Sequence, residues 1–503
     1  MFINMVRTIL SMLFLSFIFT RCEERLELDP LFETEAEYFD EVIDFERAGM
    51  GIYAKMSDFY WYRAGYVLHQ IWLLPGDDLT TLGPHEFEVF STLQPGIEVL
   101  NFRPGGYYSS SYVLINRANT LLEKIREDEN SEIPVFSDPK RRDILKGEAH
   151  FLRGWMYFQL WNYFGTSPLI TERISRGEEI YLPSSAGTDL LDQAIWDFTE
   201  AIKLLPGSWD EANRGRATRN SAYGYLGKAL VFKACAIGET NYYNEALTAF
   251  NSITDKILVE NYGDNFSIFD ENNGESLFEY QAAQYQGDNV WLYNDQSQTG
   301  GSYSAYYGYF NDYGSFPRYW GTFVATQKLL DSLDPLDPRV PYIVDTATGR
   351  IQKYMLETAR TSSGVSTYNN PRLLRYADVL LLEAEALNET GDQNGAIELI
   401  NQVRTRARNM GSTGVPSDHP TGADQATVRQ WIMNERFIEL AAEEGHRWLD
   451  LRRWHMAEWI DLQNWDFSSL KENFKIELPK NLLMPIPLIE IDLNPNVQQN
   501  EGY

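Results

Sequence analysis

The residues best equipped for chemistry are the adjacent carboxylates Asp77 and Asp78 in Leu74-Pro75-Gly76-Asp77-Asp78-Leu79-Thr80. A carboxylate pair can act as acid and base on a glycosidic bond, provided the two groups face each other across the substrate with unequal pKa values. Sequence neighbours rarely do so, and with 72 acidic residues in the chain such pairs arise by chance. Other catalytic patterns are missing. The histidines, His69, His85, His150, His419, His446 and His455, include no pair at helical metal-ligand spacing, and His85-Glu86 lacks the second His of a zinc-protease helix. There is no Gly-x-Ser-x-Gly elbow and no Gly-Lys-Ser/Thr phosphate loop. Gly49-x-Gly51-x-x-Ala54 follows a helical stretch instead of a strand, so close helix packing accounts for it better than a dinucleotide site. The residues therefore point to no catalysis, no metal and no cofactor.

Binding is better supported. From Tyr280 to Trp320, 13 of 41 residues are aromatic, against 14% over the whole chain, and they are interleaved with Asn, Asp, Gln and Ser. Sugar rings present C–H faces that stack on Trp and Tyr while amides and carboxylates take the hydroxyls, and such groups work best on loops above a rigid body. Peptide backbones could use the same groups. The candidate ligand contacts are Trp291, Tyr293, Tyr306, Tyr309 and Trp320 from this zone, with Trp72, Asp77 and Asp78 from an earlier loop-rich one.

The body that must hold them is mostly α. Apolar residues recur at helical spacing over Ala149–Phe164, Gly187–Leu205, Thr218–Ile237, Asn244–Ile253, Pro371–Thr390, Asn394–Arg408, Ala426–Ala442 and Glu444–Trp459. Several of these stretches end at Gly or Pro. Ala194, Phe198, Ala201 and Pro206 fit the second helix of a tetratricopeptide hairpin. Tyr223, Leu226 and Gly227 followed by Ala246 and Phe250 suggest another, Tyr376–Ala386 with Ala396 and Ile400 a third, and Phe437–Ala442 with Trp448–Trp454 a fourth. The expected fold is a tetratricopeptide-like scaffold of about four hairpins with an irregular, loop-rich ligand-binding half. The loop-rich insertions fall at about 57–110 and 256–370 of a single domain spanning 36–503.

The N-terminus has Arg7, an apolar run from Ile9 to Phe19 and then Cys22. That run suits a secretory signal and is too short to span a bilayer. Residues 1–21 thus read as a lipoprotein signal peptide, Cys22 as the lipid anchor, although Arg21 replaces the usual small residue, and 22–35 as an acidic tether. Cys235 lies in an apolar helical context and reads as a buried, inert thiol. The formal net charge of −29 becomes −31 without Arg7 and Arg21, which excludes nucleic acid as a partner.

Several motifs carry a resemblance. They are Gly147-Glu148-Ala149-x-Phe151-Leu152-Arg153-Gly154-Trp155-x-Tyr157-Phe158, Asp337-Pro338-Arg339, Leu373-Leu374-Arg375-Tyr376-Ala377-Asp378-Val379, Asn434-Glu435-Arg436-Phe437 and Gly445 through Trp454. A Pro/Asn-rich tail from Met484-Pro485-Ile486-Pro487 to Tyr503 completes the set, with Glu501 where the family pattern usually has Pro. Together they resemble the SusD/RagB family of nutrient-binding lipoproteins of Bacteroidetes outer membranes. That resemblance implies a surface-exposed lipoprotein working with a SusC-like TonB-dependent transporter to capture oligosaccharide, or peptide in some members. Within the Gly445–Trp454 motif, Arg447, Asp450 and Arg452 read as structural ion-pairing groups. A surface glycoside hydrolase and a purely protein-binding scaffold are the alternatives from other functional classes.

Overall fold

The computed structural model describes residues 38–60, 70–82, 85–94, 97–174, 181–282, 323–354, 369–467 and 474–503. Trp291, Tyr293, Tyr306, Tyr309, Trp320 and Cys22 lie outside them. In chain order the elements are α1 (Val42–Lys55), α2 (Ser57–Tyr60), β1 (Leu79–Thr81), α3 (His85–Ser91), α4 (Ile97–Glu129), α5 (Pro139–Phe164), α6 (Asp189–Leu204), α7 (Arg219–Ile237) and α8 (Asn241–Phe250). Then come β2 (Ser276–Glu279), β3 (Phe323–Ala325), α9 (Gln327–Ser332), α10 (Val340–Ile343), β4 (Val344–Asp345), β5 (Arg350–Ile351) and β6 (Arg372–Arg375). The chain ends with α11 (Tyr376–Glu389), α12 (Gln393–Asn409), α13 (Gln425–Glu439), α14 (His446–Met456) and α15 (Leu488–Leu493). Among the described residues no helix is long and apolar enough to cross a membrane.

Local chemistry sets the helix ends. Asp138 caps α5 by accepting from the Lys140 amide, with Pro139 at the first helical position. Thr218 and Ser221 form a reciprocal capping box on α7, and Gly238 closes that helix at φ 71°. Asp392 and Asp424 cap α12 and α13 by accepting from the Gly395 and Thr427 amides. The helices pack in succession: α4 on α5, α5 on α6, α6 on α7, α7 on α8, α8 on α11, and α11 on both α12 and α13. From Gly147 to Phe164, α5 is buried on every side, which makes it the axle of the body.

Small residues at the helix crossings let neighbouring helices approach closely. A Cβ at Gly227 of α7 would lie 2.2 Å from the Phe250 ring of α8, and one at Gly154 of α5 would lie 3.1 Å from the Phe198 ring of α6. Each aromatic sits in the space that a missing side chain leaves. Helix propensity alone favours Ala over Gly by about 1 kcal/mol. Gly227→Ala is nonetheless expected to destabilise by about 1–3 kcal/mol through overpacking. Urea denaturation reads the loss, and Phe250→Leu in the same chain should recover part of it.

The strands are short. β1, β3, β5 and β4 form a four-stranded antiparallel sheet in that order, and β2 pairs antiparallel with β6. Two expectations shift here. Residues 372–375, read as the start of a helix, form β6, and α4 begins at Ile97 inside the zone read as loop-rich.

The Pro/Asn-rich tail is pinned to the body by its amides. The Asn500 side-chain amide donates to the carbonyls of Phe164, at the end of α5, and of Met484, at 3.0 and 2.6 Å. The Met484 amide donates to Tyr163 O at 2.6 Å, and Gln499 both accepts from and donates to the Ile486 backbone. Asn494 and Asn496 donate to the carbonyls of Leu182 and Tyr181. Carbonyls left without donors at a helix end are thus satisfied from the far end of the chain. Asn500→Ala is expected to cost about 1–3 kcal/mol for the carbonyls it strands. Hydrogen exchange at Met484 and Ile486 should accelerate before the rest of the molecule responds.

Candidate functional site

The two loop-rich zones meet. The Tyr60 ring, which precedes residues 61–69, stacks at 4.5 Å and 15° on Tyr280, directly after β2 and two residues before the described stretch ends at Ala282. Trp72 lies 5.5 Å from the same Tyr60 ring. On the return side, β3 starts at Phe323 directly after residues 283–322 and pairs with β1, Leu79 opposite Ala325 and Thr81 opposite Phe323. Thr326 ties that return to the acidic pair: its amide donates to Asp78 O at 2.8 Å and its hydroxyl to Asp77 O at 2.6 Å.

Trp72, Asp77 and Asp78 are themselves interior, at 2%, 0% and 3% exposure. Asp77 accepts from Arg447 Nε at 2.5 Å and Nη2 at 2.9 Å, from Lys328 at 2.7 Å and from Trp465 Nε1 at 2.9 Å. Burial pushes its pKa up, but Arg447 and Lys328 outweigh that and hold it below the usual carboxylate range. Asp78 Oδ2 accepts from the Ala442 amide at 3.1 Å, and burial raises its pKa. Gly445, at φ 69°, lies against Trp72, where a Cβ would come within 2.9 Å of the Trp72 carbonyl. The chain's own groups engage these three residues, and the backbone carbonyls of Asp77 and Asp78 hold Thr326, just after β3.

The other motifs converge on a second interior feature, a network of buried charges. Arg375 donates to Glu275, Glu439 and Glu443 at 2.7, 2.7 and 2.8 Å. Arg339 donates to Asp337, Glu435 and Glu439 at 2.8, 2.6 and 2.8 Å. Arg406 bridges Glu275 and Glu439, Lys353 pairs with Glu443 and Arg404 with Glu435. Beside it, Arg436 joins Asp378 to Asp450, Lys228 reaches Asp378, and Arg453 joins Asp450 to Glu385. Arg447 and Asp450 are ion-paired as expected. Arg452 differs: it lies 4.7 Å over the Trp161 ring and donates to Asn162. Burial pulls its pKa down to about 10. Sequence reasoning did not find Glu275, Arg406 or Lys353, which stand outside the motifs and give no periodic signal.

Cavities supply the remaining candidate surface. One of about 390 Å³ is lined by Tyr53, Met56, Asn213, Arg214, Tyr280 and Gln281, beside the Tyr60–Tyr280 stack. A more polar one of about 160 Å³ shares Arg214, Gly215 and Arg216 and adds Trp209, Thr218, Lys256 and Asn272. Arg216 is held 4.7 Å over Trp209 and paired with Glu148 at 2.5 Å, so this wall is rigid. Cys235 is buried, and its thiol is pushed up to about 12 by burial, far from a nucleophile's range. Among the described residues no cluster of His, Cys, Asp or Glu could hold a metal ion.

Fold and site together define a class: a body of successively packed helices, locked by buried charge, with two short sheets whose strands β2 and β3 flank the aromatic-rich stretch in sequence. The chain belongs to the SusD/RagB family. A SusD family model matches residues 336–503, and a SusD-like model described as starch-binding associating with outer membrane matches residues 85–230. SusD-like protein P38 of Formosa agariphila is 29% identical over 69% of this chain and 71% of its own. A SusD homolog from Bacteroides thetaiotaomicron superposes with a TM-score of 0.76, at 22% identity over 94% of this chain and 99% of that one. A laminarin-binding SusD-like protein gives 0.74, at 23% identity over 92% and 100%.

Proposed function

We propose that this protein captures oligosaccharide at the cell surface without cleaving it and delivers it to a SusC-like TonB-dependent outer-membrane transporter, anchored by lipid on Cys22. The observation that carries the reading is the rooting of the aromatic-rich segment on a rigid body. One flank is fixed by the Tyr60–Tyr280 stack and the other by β1–β3 pairing, next to a cavity of about 390 Å³. Trp291, Tyr293, Tyr306, Tyr309 and Trp320 stack on sugar faces, while Trp72, Asp77 and Asp78 brace the flanks of that segment through Tyr60 and Thr326. Gln281, Asn213 and Arg214 supply hydrogen bonds to hydroxyls at the cavity. Family membership and the laminarin-binding neighbour support a glycan as ligand.

Calorimetry of the purified chain against a panel containing laminarin, starch and peptide digests tests this. Saturable glycan binding, weakened at least tenfold by Trp291→Ala or Trp320→Ala, is the expected result. Product release that Asp78→Asn abolishes would replace capture with hydrolysis, and binding confined to peptides would replace the ligand class.

A further inference from the structure

The tail that closes the fold also builds a cavity with a chemistry of its own. It measures about 390 Å³ and lies between the middle of α4, the segment after α5, and α15. Tyr108, Tyr112 and Tyr181 line it with Ile170, Leu493 and the carboxylate-bearing Glu490. The Tyr108 and Tyr112 rings stand 4.9 Å apart at 51°, and Tyr112 is fixed by donating its hydroxyl to Pro168 O at 2.7 Å. Tyr181 is 44% exposed, and its carbonyl is clamped by Asn496. Leu488, Ile489 and Leu493 of α15 turn 40%, 63% and 65% of their surface outward beside the opening.

Glu490 is the unusual member. Glu490 is half-buried, and among the described residues no Lys, Arg or His pairs with its carboxylate, whereas Asp77, Glu439 and Asp450 are each met by one or more cations. Burial raises its pKa with nothing opposing it. A carboxylate that has lost part of its water and gained no counter-charge is stabilised by an incoming cation. Aromatic ring faces attract the same charge through their quadrupole, most strongly where water is excluded. The exposed leucines and isoleucine favour a cation with an apolar body.

We propose that this cavity binds an organic cation, an ammonium group on an apolar stem, with Glu490 as counter-charge and the rings of Tyr112 and Tyr181 as walls. The surplus of negative charge over the whole chain, −29, steers such a ligand toward the protein. A lysine side chain or an amino sugar could deliver the ammonium. The proposal shares no residue with the glycan site proposed above, so it stands or falls independently.

The test is calorimetric titration of the whole protein with Nα-acetyl-lysine methylamide in one arm and glucosamine in the other. Each is compared with its N-acetylated neutral counterpart. One amine is expected to bind saturably at 1:1, at least tenfold tighter than its acetylated form, and the arm that responds identifies the source. Glu490→Gln should weaken that binding at least tenfold with an unchanged thermal midpoint, because among the described residues no cation pairs with the carboxylate. Tyr181→Leu, at an exposed position, should weaken it as well. Absence of saturable binding in both arms, equal binding of an acetylated form, or Glu490→Gln binding like the parent each overturns the proposal.

Discussion

Glu439→Gln is expected to cost about 3–5 kcal/mol, the range measured when one partner of a buried ion network is removed. Glu439 is fully buried and takes charge from three guanidinium groups: Arg339 at 2.8 Å, Arg375 at 2.7 Å, and Arg406. A neutral amide keeps the shape and leaves those cations short of one counter-charge in a region water does not reach. Replacing every member with apolar groups would be a different experiment, since whole buried networks exchanged for hydrophobic packing can be neutral. The single substitution isolates the uncompensated charge. Chemical denaturation at neutral pH reads it directly.

The same variant carries a pH signature. Burial pushes the Glu439 carboxyl up, but Arg406, Arg375 and Arg339 prevail and hold it well below its ordinary value of 4.5. A carboxylate whose folded pKa is depressed contributes stability above its unfolded pKa and loses it as pH falls through the folded one. The gap between parent and Glu439→Gln should therefore be widest at neutral pH and shrink below about 4.5. Asp197, Asp378, Glu443 and Asp450 are depressed by the same kind of partner, so the parent itself should unfold on acidification. A gap that stayed constant to pH 3 would mean that lost packing, and not charge, sets the cost.

Much of the scaffold was legible in the sequence because helix formation here follows local pattern and capping. α6, α7, α12 and α13 begin within a few residues of where periodicity and cap residues put them. The misreadings have a common cause, a partner distant in the chain. Arg372–Arg375 is strand because β2, about a hundred residues earlier, offers it an edge, and no local window contains that fact. The zone at about 57–110 reads as loop-rich, yet α4 begins at Ile97 and runs through Arg103-Pro104-Gly105-Gly106. Tyr107 and Tyr108 directly after it are buried at 0% and 2%, and that packing overrides the weak local propensity. The charged motifs were visible as words and not as a network. Glu435, Arg436, Arg339, Arg375 and Asp378 lie up to a hundred residues apart, and only the fold brings them within hydrogen-bond distance. For Trp72, Asp77 and Asp78, composition suggested a polar-aromatic surface, whereas a Trp and two carboxylates can equally be interior groups if an Arg from elsewhere meets them. Arg447, 370 positions away, does.

Arg447→Met should expose how far that interior pair serves the proposed binding surface. Arg447 meets both oxygens of Asp77 and lies 4.2 Å over the Phe437 ring, and methionine keeps the apolar stem while deleting the charge. Asp77 keeps Lys328 and Trp465, so the expected loss is at the lower end of the buried-pair range, about 3 kcal/mol. Without the guanidinium, the upward push of burial on Asp77 is less opposed, and the deficit should narrow as pH falls below about 4 and the carboxyl protonates. Asp77→Asn combined with Arg447→Met should recover part of the loss, giving a coupling energy for the pair. The backbone carbonyls of Asp77 and Asp78 hold Thr326, directly after β3, where the aromatic segment returns to the body. Glycan binding by Arg447→Met should therefore weaken at temperatures where the variant is still folded, whereas Asn500→Ala, which loosens the tail clasp, should leave it unchanged. Equal binding by parent and Arg447→Met, despite the lost stability, would detach the acidic pair from the binding surface and leave it a purely structural lock.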